Sequence, residues 1–198
     1  ALGSNTTGEV NTAVGQDALA SNTTGTKNVS LGREALKANT TADNNTGLGF
    51  KALLSNTTGE DNTAVGSEAL DANTTASNNT AVGRHALGAT TTGHSNTAVG
   101  KDALKLNTAN YNVGVGNQAL ADNTSGEDNT AVGNSALGNN TTGDDNTAMG
   151  DNALVYNTTG SHNTGLGSLA LYANTTGAGN VAIGSGAMKT STDESNNV

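Results

Sequence analysis

Tandem repeats predict an all-β protein, a parallel β-solenoid (β-roll) of about 11 coils with 17 residues per coil and one 16-residue coil. The motif NTAVG recurs at this interval, large apolar residues occupy only two places in each repeat, and Gly, Asn and Thr dominate the rest. The apolar positions do not follow the 3.6-residue period of an amphipathic helix. Two short strands per coil, separated by Gly and Asn-Thr-Thr corners, fit the pattern.

The repeat is defined by the glycine that ends each AVG-like triplet. Nine of the ten steps between these glycines are 17 residues, and the tenth, from Gly100 to Gly116, is 16 because KLNTANYN lacks one corner residue. We therefore expect continuous strand pairing on both sides of this step, while residues 107–112 deviate from the other corners. The glycines are Gly15, Gly32, Gly49, Gly66, Gly83, Gly100, Gly116, Gly133, Gly150, Gly167 and Gly184.

One asparagine precedes the first strand of every repeat. Coils that stack at about 4.8 Å would align these asparagines, and their amides could then hydrogen-bond from coil to coil. The sequence therefore predicts an uninterrupted asparagine ladder along the rod. Its members are Asn11, Asn28, Asn45, Asn62, Asn79, Asn96, Asn112, Asn129, Asn146, Asn163 and Asn180.

Each predicted strand pairs a small residue with a large aliphatic one, as in Ala13–Val14 and Ala18–Leu19. Adjacent residues of a strand point to opposite faces, so one face is bulky and the other is small. The sequence leaves open which face lies inside the coil. Because both faces are constrained, we expect a partner chain to cover the outer one, which predicts a homo-oligomer along the rod axis.

Composition excludes several classes of protein and partner. With one Phe, three Tyr and no Trp, the chain cannot build a thick aromatic core. Its formal charge of −9 argues against nucleic acid as a partner, and no apolar run approaches the roughly 20 residues of a membrane span. Residues 1–188 form a single repeat array and residues 189–198 a partial repeat, which indicates that the rod continues beyond this chain.

The NTAVGxxAL unit resembles the head repeats of trimeric autotransporter adhesins (YadA-type), which share an AVG-like core followed by alanine. It is also similar to repeats of phage tail-fibre and bacterial surface-fibre proteins. The resemblance covers residues 1 to about 188. The period is longer here, and the excess falls in the NTTG corner. The resemblance implies a left-handed parallel β-roll, a homotrimer and a location outside the cell or on a virion.

Charged and titratable residues offer few candidate sites. The three histidines, at 85, 94 and 162, fall at different places in the repeat, so we expect surface histidines rather than a zinc site. Acidic corner pairs in consecutive coils are better candidates, because stacked carboxylates could bind Ca²⁺. The alternative is solvated corner charge. These residues are Glu127, Asp128, Asp144 and Asp145.

The NTT and NTS corners are also N-glycosylation sequons. Glycans would decorate the rod if these asparagines faced outward; alternatively, their side chains bond back to the backbone and form the corner. Ice binding would need a flat threonine face, whereas adjacent Thr6 and Thr7 are expected to point in opposite directions. The sequon asparagines are Asn5, Asn22, Asn39, Asn56, Asn73, Asn123, Asn140, Asn157 and Asn174.

The repeats therefore predict a non-enzymatic, extracellular structural fibre, the shaft or head of an adhesin, that needs no cofactor. No reactive constellation interrupts the repeat, so we expect no enzymatic centre. Besides other copies of the chain, a host-surface or glycan receptor is a possible partner. The alternative is a binding module that presents a repetitive face to glycans, divalent cations or ice, or a glycosylated filament.

Overall fold

The computed structural model describes residues 1–198 and confirms the β-solenoid, with about ten turns and no helix. No segment could therefore cross a membrane as a helix. Eleven parallel strands of three residues form one sheet in sequence order. They are β1 (Thr12–Val14), β2 (Val29–Leu31), β3 (Thr46–Leu48), β4 (Thr63–Val65), β5 (Thr80–Val82), β6 (Thr97–Val99), β7 (Val113–Val115), β8 (Thr130–Val132), β9 (Thr147–Met149), β10 (Thr164–Leu166) and β11 (Val181–Ile183).

The structure has one strand per coil rather than the two that the sequence predicts. The segment that carries the second apolar pair is a stack of hydrogen-bonded turns, in which Leu19 donates its N–H to the carbonyl of Ala35 in the next coil at 3.0 Å. The reason is a left-handed backbone, since Leu19 has φ 51° and Asp17 has φ 56°. This conformation is uncommon for residues with a side chain, and sequence propensities therefore do not predict it.

The core is a column of leucines flanked by alanines. In each complete coil both residues of the Ala-Leu pair are buried, as at Ala69 and Leu70, because the turn directs both side chains inward. The small middle residue of each strand, for example Ala64, packs against this column of leucines. The buried leucines are Leu19, Leu36, Leu53, Leu70, Leu87, Leu104, Leu120, Leu137, Leu154 and Leu171.

The strands place their small residue inside the coil and their bulky residue outside. The middle residue of strands β2 to β11 is buried, whereas the first and third residues are half-buried or exposed. This orientation leaves a row of large aliphatic side chains on the outer face of the sheet, which we call the outer row. It consists of Val14, Leu31, Leu48, Val65, Val82, Val99, Val115, Val132, Met149, Leu166 and Ile183.

The predicted asparagine ladder, here called the strand ladder, is confirmed and runs without a break from Asn11 to Asn197. The side-chain oxygen of each member accepts the backbone N–H of the next one at 2.9–3.0 Å, as between Asn62 and Asn79. Its amide nitrogen donates to a corner carbonyl of the following coil, as from Asn62 to Ala76 at 2.8 Å. The ladder therefore satisfies buried backbone groups that the three-residue strands cannot reach.

A second ladder, here called the corner ladder, joins the asparagines of the NTT corners. In eight of its ten members the amide nitrogen donates one proton to the preceding rung, as from Asn140 to Asn123 at 2.8 Å, and the other to its own corner carbonyl, here Gly143, at 2.9 Å. Asn5 and Asn107 donate only to their own corner carbonyl. The strand ladder reaches the Gly143 carbonyl through Asn129, so the two ladders share a carbonyl in this coil and in most of the others. The members are Asn5, Asn22, Asn39, Asn56, Asn73, Asn107, Asn123, Asn140, Asn157 and Asn174.

The corner ladder is interrupted at Thr90, which occupies an asparagine position. Asn73 Oδ1 is buried there without a hydrogen-bond partner, and the Thr90 hydroxyl instead donates to the Asn107 carbonyl at 2.7 Å. The same happens at Asn174, because residue 191 is a serine. These two oxygens are the only buried side-chain polar atoms without a partner. They lie where an asparagine is missing from the next coil.

The 16-residue step produces the expected fault in the coil that follows Thr90. Strand pairing continues across it, with Val99 opposite Val115. At the corner, however, Asn107 bonds to a carbonyl two residues ahead rather than three, and Thr91 makes none of the bonds that the other corner threonines make to the next coil. The coils of Thr90 and Asn107 are thus joined normally through the sheet and weakly through the corner.

Replacing Thr90 with Asn should repair this corner and stabilise the rod. The new amide can donate to Asn73 Oδ1 and to the Gly93 carbonyl, and a satisfied buried acceptor is worth about 1–3 kcal/mol. We expect a higher midpoint of urea unfolding followed by circular dichroism. The matched control Thr91→Asn, on the exposed side of the same corner, should change stability by no more than about 0.5 kcal/mol. An unchanged midpoint for Thr90→Asn would contradict the ladder as the source of corner stability.

Candidate functional site

The outer face of the sheet is the most extensive candidate surface. Its outer row is aliphatic in all eleven coils, although Leu31 and Met149 are 51% and 47% exposed. Beside this row lie the first residues of the strands, eight threonines and three valines. No residue of the eleven strands is charged. The sequence showed that both faces are constrained; the structure identifies the bulky one as the face turned to the solvent.

The candidate calcium ligands form hydrogen bonds between coils but do not converge. Asp144 Oδ1 accepts the backbone N–H of Glu127 at 2.8 Å, and Glu127 Oε1 accepts a proton from the Asn110 side chain at 2.9 Å. Asp128 is exposed, and Asp145 Oδ2 lies 3.5 Å from a ring nitrogen of His162. Nowhere do three His, Asp or Glu side chains come together in an arrangement that could hold a metal ion. The calcium site remains a hypothesis without a ligand cluster.

The sequon asparagines belong to the corner ladder. Asn5 is half-buried, and the other eight, for example Asn56 and Asn140, are completely buried and donate both amide protons inside the coil. A glycan on this nitrogen would replace a donated proton and would have to fit into the core. The structure thus shows the corner-forming role at these residues, whose eight buried amides donate both protons inside the coil.

The histidines lie apart from one another. His85 Nε2 is 3.1 Å from Glu68 Oε2, while His94 contacts the edge of the Tyr111 ring with centroids 5.1 Å apart. His162 lies beside Asp145. Each histidine therefore contacts side chains of its own neighbourhood, and no two of them share a site.

Two shallow depressions lie on a different side of the rod, the turn face. We use this name for the surface of the turn segments between the strand and the corner, such as residues 134–139. In both depressions a glycine follows the core leucine, at Gly88 and at Gly138. The first has a volume of about 230 Å³ and is lined by Asp71, His85 and Lys105; the second, of about 150 Å³, is lined mainly by neutral polar side chains. The two depressions could have been found from the sequence, by comparing which residue follows the core leucine in each repeat.

Asp71 is the carboxylate with a clearly shifted titration. Partial burial raises the pKa of Asp71, and the neighbouring Glu68 carboxylate raises it further. Its Oδ1 lies beside Gly88, at the edge of the first depression. At a given pH, the Asp71 carboxyl group is therefore protonated to a greater extent than that of an exposed aspartate.

No protein-family model, curated protein or solved structure matches the chain. Proposals for its function therefore depend on the geometry of the rod and its surfaces.

Replacing Asp71 with Asn should stabilise the rod slightly at neutral pH. Because the pKa of Asp71 is higher in the folded state, folding takes up protons and stability falls as pH rises from the ordinary carboxyl range through the raised value. The Asp71→Asn variant has no carboxyl group to ionise, so it does not lose stability in this way as the pH rises. The thermal midpoint should rise at pH 7, whereas the gain should disappear below about pH 3.9, where the carboxyl is protonated in both states. Equal gains at both pH values would contradict an electrostatic origin.

Proposed function

We propose that this chain is a non-enzymatic structural segment of an extracellular or virion-surface fibre, the shaft or head of an adhesin. In this proposal, copies associate laterally through the outer face of the sheet, as a homotrimer. The observation that carries the proposal is the outer row, which is aliphatic in every coil although it is turned to the solvent.

The dimensions suit a rod that holds a surface away from its base. Eleven strands at about 4.8 Å give a length of roughly 50 Å. Parallel pairing connects every strand to its neighbours in exact register, and the strand ladder runs beside it along the whole array. Bending the rod would require breaking several of these bonds at once, so stiffness follows from the stacking.

The outer face has the chemistry of an interface. A solvent-facing strand position would normally vary among polar residues, yet the outer row holds only Val, Leu, Met or Ile. Parallel sheets with apolar residues on both faces are usually covered on both faces. Large exposed apolar patches on soluble proteins commonly mark sites of association.

Area and charge favour other copies of the chain as the cover. The stripe is about 50 Å long and roughly 10 Å wide, so two copies would bury about 1,000 Å² together, the lower limit for a specific interface. A third copy would raise this area for each chain. Although the chain has a formal charge of −9, no charged residue lies in the strands, so like charges would not meet at the centre of the contact. The resemblance to trimeric adhesin heads supports three copies.

Mass measurement tests self-association directly. We expect light scattering at micromolar concentration to give three times the 19.4 kDa of one chain. The double variant Leu31→Glu with Met149→Glu should dissociate to a monomer, because it places charges within the apolar contact.

The matched control is Leu106→Glu with Tyr156→Glu, which changes residues that are 41% and 45% exposed on the turn face. It should keep the mass of the unaltered protein. Circular dichroism must show that both variants are folded. A stable folded monomer of the unaltered chain would refute the association.

A second candidate function uses the same face without a partner chain. Threonine begins eight of the eleven strands and valine the other three, so these positions form a row of hydroxyl and methyl groups beside the outer row. These are not the corner threonines such as Thr6, whose hydroxyl donates to the Thr23 carbonyl. An exposed array of this kind could order water and bind ice. Inhibition of ice recrystallisation by a monomer would favour this function, and a stable trimer that covers the face would exclude it.

A further inference from the structure

The depression at Gly138 is built from three consecutive coils of the turn face. Its lining includes Gln118, Asp122, Ser135, Asn139, Asn152 and Val155, and its volume is about 150 Å³. No Lys, Arg or His side chain contributes to it. None of its lining residues belongs to a strand or to the outer row.

The depression exists because Gly138 lacks a side chain. The same place in other coils carries Lys37, Leu54 or Tyr172, so a side chain fits there in this fold. Gly138 is not among the glycines with positive φ, and its backbone therefore does not require glycine. The missing side chain opens space between Ala121 and Val155, which occupy this place in the two neighbouring coils.

The polar side chains around this space are free to bind a ligand. Those of Gln118, Asp122, Ser135 and Asn139 form no hydrogen bond within the chain, and Asn152 uses one of its amide protons on Asp151 at 2.9 Å. By contrast, the ladder asparagines direct their polar groups into the coil. The lining therefore presents amide and hydroxyl groups that can both donate and accept, with a single carboxylate.

A tyrosine pair lies next to the lining residues in the repeat. Tyr156 directly follows the lining residue Val155, and it occupies the place in its coil that Asn139 occupies in the preceding one, so their backbones are about one coil spacing, roughly 4.8 Å, apart. The Tyr172 ring meets Tyr156 edge to face with centroids 5.0 Å apart, and the Tyr172 hydroxyl donates to the Tyr156 hydroxyl at 3.5 Å. This hydrogen bond raises the pKa of Tyr172. The pair supports an exposed aromatic surface beside the polar groups.

We propose that this depression, together with Tyr156, is a binding site for a neutral carbohydrate, with one sugar ring seated over Gly138. Sugar hydroxyls both donate and accept, which matches the free amide and hydroxyl groups of the lining. The C–H groups of a ring can pack on an aromatic surface, while the tyrosine hydroxyl remains available to polar groups. Anionic ligands fit poorly, because the lining offers one carboxylate and no cation.

For an open, shallow site of this size we expect weak binding of a single sugar, with a dissociation constant on the order of 1 mM, which corresponds to about −4 kcal/mol. Several copies of the chain in one particle would raise the effective affinity for a surface that displays many sugars. The site itself does not depend on the proposed association, because it is complete within one chain.

Nuclear magnetic resonance titration tests the site with three probes, the methyl glycosides of glucose, galactose and N-acetylglucosamine. We expect at least one to shift the side-chain amide signals of Gln118, Asn139 and Asn152. Gly138→Leu should fill the depression and weaken binding at least tenfold, as should Tyr156→Ala. Gly88→Leu is the matched control, because it fills the other depression on the same face, and it should leave the affinity unchanged.

Two results would overturn the assignment. One is the absence of shifts at these amides with all three glycosides, and the other is equal affinity of the unaltered protein and Gly138→Leu. Residue 54 is a leucine at the same place in the repeat. A Cβ at Gly138 would lie 3.1 Å from the Ser135 carbonyl oxygen, so the Gly138→Leu variant needs a small shift of this turn, and backbone amide spectra would verify its fold. Failure of the site would leave the mass of the particle unaffected, so the two proposals are separately testable.

Discussion

Stacked asparagine side chains are the interaction on which the rest of this structure depends. A coil of 17 residues encloses one leucine and two small residues, which is too little apolar volume to form a core of ordinary thickness. Its tight corners also bury backbone carbonyls far from the three-residue strands. The two ladders satisfy these carbonyls and connect each coil to the next, as where Gly143 accepts protons from both Asn129 and Asn140. Where the next rung of the corner ladder is Thr90 or Ser191 instead of asparagine, the side-chain oxygen of the preceding asparagine is left unpaired, at Asn73 and at Asn174.

The thin interior also determines what the surface presents. Because the inner side of each strand has room only for Ala, Gly or Ser, the large aliphatic residues of the strands lie on the outside, where they form the outer row. The corners and turns carry the charges and vary from coil to coil. Local differences there, such as Gly138 in place of a longer side chain, can create a site without disturbing the stack. The strand residues thus repeat from coil to coil, whereas the turn and corner residues of the same coil vary.

Much of this fold could be predicted from the sequence, because stacking makes every structural requirement recur at a fixed interval. The period, the parallel register, the strand ladder and the fault near Asn107 follow from that recurrence. The second predicted strand was wrong, because Leu19 and its equivalents adopt a left-handed conformation that is stabilised by neighbouring coils rather than by local propensity. The orientation of the outer row was not predictable either, since both faces of the strand are apolar. The candidate site at Gly138 depends on which side chains converge on the turn face, and the sequence gives no distances between them.

Hydrogen exchange of the asparagine side-chain amides tests the central claim most directly. If the ladders hold the coils together, the side-chain amide protons of Asn62, Asn140 and Asn146 should exchange far more slowly than those of an exposed asparagine such as Asn117, because each of the three donates two hydrogen bonds inside the coil. Protection should be weaker at Asn107, which flanks the corner fault and donates only to Ala109. Ladder amides that exchange as fast as Asn117, in a protein whose backbone amides remain protected, would contradict the account.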